Sequence, residues 1–239
     1  MDYQKQFNKS YVEIINKKKD SSLRGGRYKE YKNSERKIFL DIKNKLDLKR
    51  NDNLIDIGCG AGPVCDYIIK YAKENKINLT LNDIPEVIDF LKKRYKKNNK
   101  IRYISGEFQK KKIKNKFNKV LCYSVIQCTN NPKAFFDRIL NITCDQSLIL
   151  IGDIPNTSKK KRFLLSKFGR KFEEKRIRKK IVNLSAYLKK NKQNTFINDE
   201  LIKNFLIKSK KKGFNFFILK QNKNLPFSYT REDILIEKF

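Results

Sequence analysis

Apolar positions in this chain recur at two different spacings. Phe7, Tyr11, Ile14 and Ile15 fall at helical intervals within residues 1–19, and Ile38, Phe39, Ile42 and Leu46 do so within 34–46, where Ser34 stands in the place of an N-cap. From residue 53 onward, short apolar runs alternate with helical stripes. The runs at 53–57, 78–82, 101–105, 119–125 and 147–151 predict strands. The stripes Val64/Ile68/Ile69/Ala72, Val87/Ile88/Leu91/Tyr95 and Phe135/Phe136/Ile139/Leu140 predict helices between them. A strand–helix alternation of this length predicts a parallel sheet with helices on both faces. The pattern changes after residue 156. Residues 157–190 read as basic helices of weak amphipathicity. A further helix over 199–212 is capped by Asn198 or Asp199 and stopped by Gly213. Two last runs, 214–220 and 233–238, are joined by a loop containing Pro226 and predict an antiparallel pair at one sheet edge. The chain thus divides into a helical cap (1–50), an α/β core (51–156), a basic helical insertion (157–212) and a strand pair that completes a seven-stranded, mostly parallel sheet (213–239).

Composition narrows the class. A chain of 239 residues with 39% apolar content can bury a sizeable core in one domain, although its mean hydropathy is −0.71. No apolar run approaches the roughly 20 residues that span a bilayer, and the first residues carry no apolar leader segment, so a cytoplasmic protein is expected. Five cysteines lack paired ligand spacing and histidine is absent, which argues against a zinc site or a disulfide frame. The formal net charge of +32 invites a nucleic-acid reading. Most lysines, however, are scattered over polar faces along the whole chain. One stretch is denser: residues 159–180 hold twelve Lys and Arg against two Glu. It suits phosphates, RNA, an anionic membrane surface, or simply solvent.

The strongest motif is Asp56-Ile57-Gly58-Cys59-Gly60-Ala61-Gly62-Pro63, where a strand ends in a carboxylate, three glycines alternate with other residues, and a helix begins. Glycines permit positive φ and remove the Cβ atoms that would block a ligand lying on the backbone. Pro63 suits the first helical position. A dinucleotide fingerprint would place its third glycine one residue later, where Pro63 stands.

These residues resemble the glycine-rich first motif of class I S-adenosylmethionine-dependent methyltransferases. The resemblance covers about residues 40–239 and implies a Rossmann-like doubly wound fold with S-adenosyl-L-methionine as cofactor. It implies that Asp56, Gly58, Gly60 and Gly62 shape the cofactor site. Asp83, at the end of the second strand, would accept hydrogen bonds from the ribose hydroxyls, with Ile84 against the adenine. Glu107 and Phe108 would meet the adenine amino group and ring, and Tyr123 would pass beneath the methionine part. Each residue has a plainer alternative: Asp83 as a helix cap, Glu107 as a surface turn, Tyr123 packed on the sheet.

The chemistry that follows is in-line methyl transfer, which needs alignment and exclusion of water more than it needs acid–base groups. Without histidine, the commonest general base is missing. Asp153, after the fifth strand, is the candidate catalytic base, with a turn-capping role as its alternative. The runs 152–163 and 225–236 resemble putative sugar methyltransferases of bacterial surface-polysaccharide pathways. That resemblance implies a sugar or other small-molecule hydroxyl as acceptor, possibly nucleotide-linked, with Lys159, Lys160 and Arg162 facing phosphates. RNA methylation is the alternative acceptor reading, and a non-catalytic basic module for RNA or membrane is a third. The loop Arg24-Gly25-Gly26-Arg27-Tyr28 is expected to act as a lid.

Overall fold

The computed structural model describes residues 3–16, 34–96, 100–190, 197–225 and 227–239. The expected lid loop with Tyr28 lies outside the described residues, as does Pro226. Helices α1 (Tyr3–Asn16) and α2 (Glu35–Lys45) precede the core. The core then alternates: β1 (Asn53–Ile57), α3 (Pro63–Glu74), β2 (Asn78–Asp83), α4 (Pro85–Arg94), β3 (Ile101–Ser105), β4 (Phe117–Tyr123), α5 (Pro132–Asn141) and β5 (Thr143–Pro155). The insertion forms α6 (Thr157–Leu165), α7 (Lys167–Ile177) and α8 (Leu184–Lys190). Helix α9 (Asp199–Lys211) and strands β6 (Asn215–Leu219) and β7 (Arg231–Lys238) follow.

The strand order is β3-β2-β1-β4-β5-β7-β6, with β1 to β5 parallel. This is the parallel sheet expected from the alternation, in the doubly wound, Rossmann-like order that the resemblance implies. β7 runs antiparallel to both β5 and β6 and lies one position in from the edge, so β6 is outermost. Period-two alternation sends neighbouring residues to opposite faces. Ile55, Val120 and Ile149 join one apolar layer with α5 and α9, where Phe136 and Phe205 stack at 4.2 Å between centroids. Leu54, Leu121 and Leu150 join the other, with α2, α3 and α4. Asn198 caps α9 by accepting from the Leu201 N–H, whereas Ser34 makes no capping bond to α2.

Strand β5 is longer than its apolar run predicts, because it continues past a bulge. Ile151 pairs with Ile234 and Ile154 with Glu232, so three steps on β5 match two on β7. Gly152 is required there, since a Cβ would lie 2.4 Å from the Tyr123 ring. Asp153 takes a left-handed φ of 56°. A buried polar knot ties this bulge to α2. The Asp233 carboxylate accepts from the Asp153 N–H (2.7 Å), from Gln221 Nε2 (3.0 Å) and from Lys45 Nζ (2.6 Å). Lys45 also bonds Asp41 on its own helix.

Truncating Asp233 leaves the largely buried Lys45 with Asp41 alone and the Asp153 N–H without its acceptor. Asp233→Ala is expected to cost about 3–5 kcal/mol of unfolding free energy, read from urea denaturation.

Candidate active site

The carboxyl ends of β1, β2 and β3 carry three short turns, and the dipeptide Asn82-Asp83 holds them together. The Asn82 carbonyl accepts from the N–H groups of Gly58 (2.8 Å) and Cys59 (3.2 Å). Its side-chain amide donates to the carbonyls of Ile104 and Gly106, each at 2.9 Å. Asp83 Oδ2 accepts from the Gly60 N–H and Oδ1 from the Ile84 N–H, both at 2.7 Å. The Gly106 N–H closes the set on the Asp83 carbonyl at 2.8 Å. Asp83 therefore braces the glycine turn, and each of its oxygens keeps a further lone pair for a ligand.

The three glycines have different roles. Gly58 and Gly60 have φ of 68° and 64°, as expected of residues chosen for left-handed backbone. Gly62 departs from that expectation: at φ −96° and ψ 179° it is extended and forms the N-cap of α3, with Pro63 at the first helical position. A Cβ on Gly58 would meet the Val125 side chain at 2.4 Å, so here the bare backbone admits a neighbouring loop. At Gly60 the nearest atom to a Cβ would be the Tyr11 hydroxyl, at 3.0 Å. That hydroxyl also accepts from the Ala61 N–H at 3.0 Å. Helix α1 thus lies across the turn. Burial, and secondarily the Asp83 carboxylate, push the Tyr11 phenol well above its ordinary range. In the sequence Tyr11 reads only as one position of an apolar stripe.

Asp56 is buried at the end of β1 and accepts no hydrogen bond from any described residue. Burial first, and Asp83 second, raise its pKa to about 8. Burial raises Asp83 to about 6, opposed by its two backbone donors. Two neighbouring carboxylates, Asp56 buried and Asp83 half-buried, form a locus that favours cations and hydroxyl donors. The pyrophosphate of a dinucleotide would meet repulsion there. Beside it, a cavity of about 680 Å³ is bounded by Ile84, Pro85, Gly106 and Glu107 on the strand ends and by Asn8 and Val12 on α1. Ile84 and Glu107 thus both line that cavity, Glu107 with an ion pair to Lys110 at 2.9 Å.

Other expected positions fall elsewhere. Phe108 does not cover the cavity: a 3₁₀ turn over residues 108–110 directs it into the core, where its ring meets Phe135 edge-on at 5.2 Å. Tyr123 packs against Gly152 on the sheet. Asp153, aimed by the β5 bulge, accepts from the Ser124 hydroxyl and, at 2.8 Å, from Arg231 Nη1. Gln221 Nε2 lies 3.3 Å from its other oxygen. A carboxylate with these donors is a holding group rather than a free base. Neither Ser124 nor Gln221 stands out in the sequence, because their partner is distant along the chain.

Of the three cations expected near phosphates, two are engaged within the fold. Lys159 Nζ donates to the Arg231 carbonyl at 2.6 Å, and Arg162 pairs with Asp199. Lys160 makes no ion pair or hydrogen bond through its side chain with any described residue. Burial lowers its pKa, and the nearby Arg176 and Arg231 add to that, against Glu173. Among the described residues there is no group of acids and thiols arranged to hold a metal ion, and no helix long and apolar enough to cross a membrane.

Known proteins place this geometry. No curated protein sequence matches the chain. Its fold is similar to N-methyltransferase NodS from Bradyrhizobium japonicum WM9, solved in complex with S-adenosyl-L-homocysteine. That pair shares 11% identity at a TM-score of 0.63, over 100% of this chain and 99% of the other. The plantazolicin methyltransferase BamL, also solved with S-adenosyl-L-homocysteine, is 18% identical with a TM-score of 0.60, over 95% and 94% of the two chains. Human N-acetylserotonin methyltransferase shares 15% identity at a TM-score of 0.53, over 87% of this chain and 52% of its own. At such identities the likeness is one of fold. The family model described as "Methyltransferase domain" matches residues 48–198, more than half of the sequence. That span contains the glycine turn, Asp83 and the β5 bulge, and by it the chain belongs to the methyltransferase domain family.

Proposed function

We propose that the chain transfers a methyl group from S-adenosyl-L-methionine to a hydroxyl of a sugar or other small molecule. The observation that carries the donor assignment is the pair of carboxylates at a glycine turn, Asp56 buried and Asp83 half-buried. S-adenosylmethionine offers an ammonium, a sulfonium and a ribose diol, all of which suit that pair, and no phosphate. When bound, it supplies a methyl group already activated by the positive charge on sulfur. Asp83 would hold the ribose through its free lone pairs, and Asp56 would meet the amino group. Ile84 and Glu107 would flank the adenine in the 680 Å³ cavity, and α1 with Tyr11 would exclude water from above. S-adenosyl-L-homocysteine in NodS and BamL supports this choice of donor.

The acceptor reading rests on less. Lys160, half-buried and unpaired, suits an anionic group such as the phosphate of a nucleotide-linked sugar. Asp153 acts as a positioning residue that orients Ser124 and Arg231, and acceptor deprotonation in this reading needs no dedicated base. RNA is the second acceptor reading, favoured by the net charge of +32.

Three outcomes check the proposal. Asp83→Ala is expected to abolish micromolar S-adenosylmethionine binding in calorimetry, with thermal unfolding followed in parallel to verify the fold. The second concerns pH. Below about 8, Asp56 carries a proton in the folded protein. A cationic ligand must displace that proton, so affinity is expected to rise as pH increases from about 6 to about 8, with proton release in buffers of differing ionisation enthalpy. Asp56→Asn is expected to flatten that profile. The same raised pKa means that the fold loses stability as pH rises from the ordinary carboxylate range to about 8, a slope the variant also removes. The third is a transfer assay with radiolabelled methyl donor over nucleotide sugars, glycans and RNA. Label on a nucleotide-linked sugar, with a raised KM and little-changed kcat in Lys160→Ala, is expected. Label on RNA alone overturns the acceptor.

A further inference from the structure

Helices α6 and α7 present an unusual surface. Phe163, Phe168, Phe172 and Tyr229 form one ring cluster, with centroids 5.2 to 6.2 Å apart. A cluster of this size is ordinarily buried, yet Phe168 is 58% exposed and Phe172 44%, with Leu165 beside them at 64%. Phe168 and Phe172 are four residues apart on α7 and share a face. Lys171 and Lys175 each follow one of these rings by three residues, which sets them along the same face. Both lysines are exposed, and neither makes an ion pair with a described residue. The strand register places this patch at one end of the molecule. Tyr229 lies two residues before Arg231, which pairs with Pro155 at the end of β5, and α6 starts two residues after Pro155. The patch therefore sits at the carboxyl end of the parallel strands, the end that carries the glycine turn.

We propose that this face docks on an anionic lipid surface, with the rings and Leu165 entering the headgroup boundary and the lysines reaching the lipid charges. An apolar face flanked by cations is the arrangement that binds such interfaces. The ring geometry distinguishes lipid from single-stranded RNA. Phe163 meets Phe168 at 78° and Phe172 at 73°, and Phe168 meets Tyr229 at 62°. Phe163 also stacks on Tyr229 at 16°, so the rings are spent on one another and form a plug. A nucleic-acid platform keeps ring faces free for successive bases and has no use for an exposed leucine. The docking does not depend on the acceptor assignment.

Cosedimentation of the full chain with vesicles tests it, using phosphatidylcholine alone or with about a third phosphatidylglycerol. Binding to the anionic vesicles only is expected. Phe168→Ser/Phe172→Ser and, separately, Lys171→Glu/Lys175→Glu are each expected to weaken it by about tenfold or more, with thermal midpoints and S-adenosylmethionine binding unchanged. If one pair fails to fold, the other decides. Failure of the native chain to bind anionic vesicles, or native-like binding by a folded variant pair, overturns the proposal. So does a single-stranded oligoribonucleotide that displaces the vesicles and loses its own affinity in Phe168→Ser/Phe172→Ser, which would reassign the patch to nucleic acid.

Discussion

Everything at the carboxyl end of the sheet hangs on how β2 finishes. Asn82 and Asp83 are consecutive at the end of β2, which lies between β1 and β3, so one side chain reaches the end of β3 while the next reaches the turn after β1. Between them they satisfy backbone groups of Gly58, Cys59, Gly60, Ile84, Ile104 and Gly106. Turns rich in glycine are entropically costly to order. This dipeptide offsets that cost by giving the amides of Gly58, Cys59, Gly60, Ile84 and Gly106 a fixed acceptor. The carboxylate that orders the turn also supplies its charge, so shape and electrostatics at the cavity have one source.

The second half of the site is organised by a different logic. The bulge in β5 turns Asp153 out of the ladder and into a set of donors drawn from the turn after β4, from β7 and from the segment before it. Asp233, buried behind that bulge, connects it to Lys45 on α2. A helix outside the α/β core and a strand of the terminal pair are thereby tied through two carboxylates and a lysine. Buried ion networks of this kind add little net stability over apolar packing, but they are unforgiving when incomplete. Their value here is to fix where the bulge sits.

Much of this was legible along the chain. Period-two and helical spacings located the strands and helices of the core, because each element buries a face and the faces must repeat. Gly58 and Gly60 were legible because a turn with positive φ constrains residue type locally. What stayed hidden depends on partners far away. Arg231 and Gln221 meet Asp153 across 78 and 68 residues, and no local pattern announces that. Phe108 was expected at the cavity and is in the core, because one turn of 3₁₀ helix decides its direction. Lys159 and Arg162 looked like free cations, while their acids, Glu232 and Asp199, lie on elements that the motif does not include. Tyr11 was visible as a helix position, and its reach to Ala61 was not.

The placement of β7 has a consequence for how the molecule assembles. Among the described residues β6 has no sheet partner but β7, so it cannot join the sheet on its own, although it is made first. Until residues 231–238 leave the ribosome, the flank of β5, with Ile149 and Ile151, is an unpaired apolar template. Nascent chains paused in that interval are the ones most exposed to mispairing with one another, and the β6–β7 hairpin closes that flank.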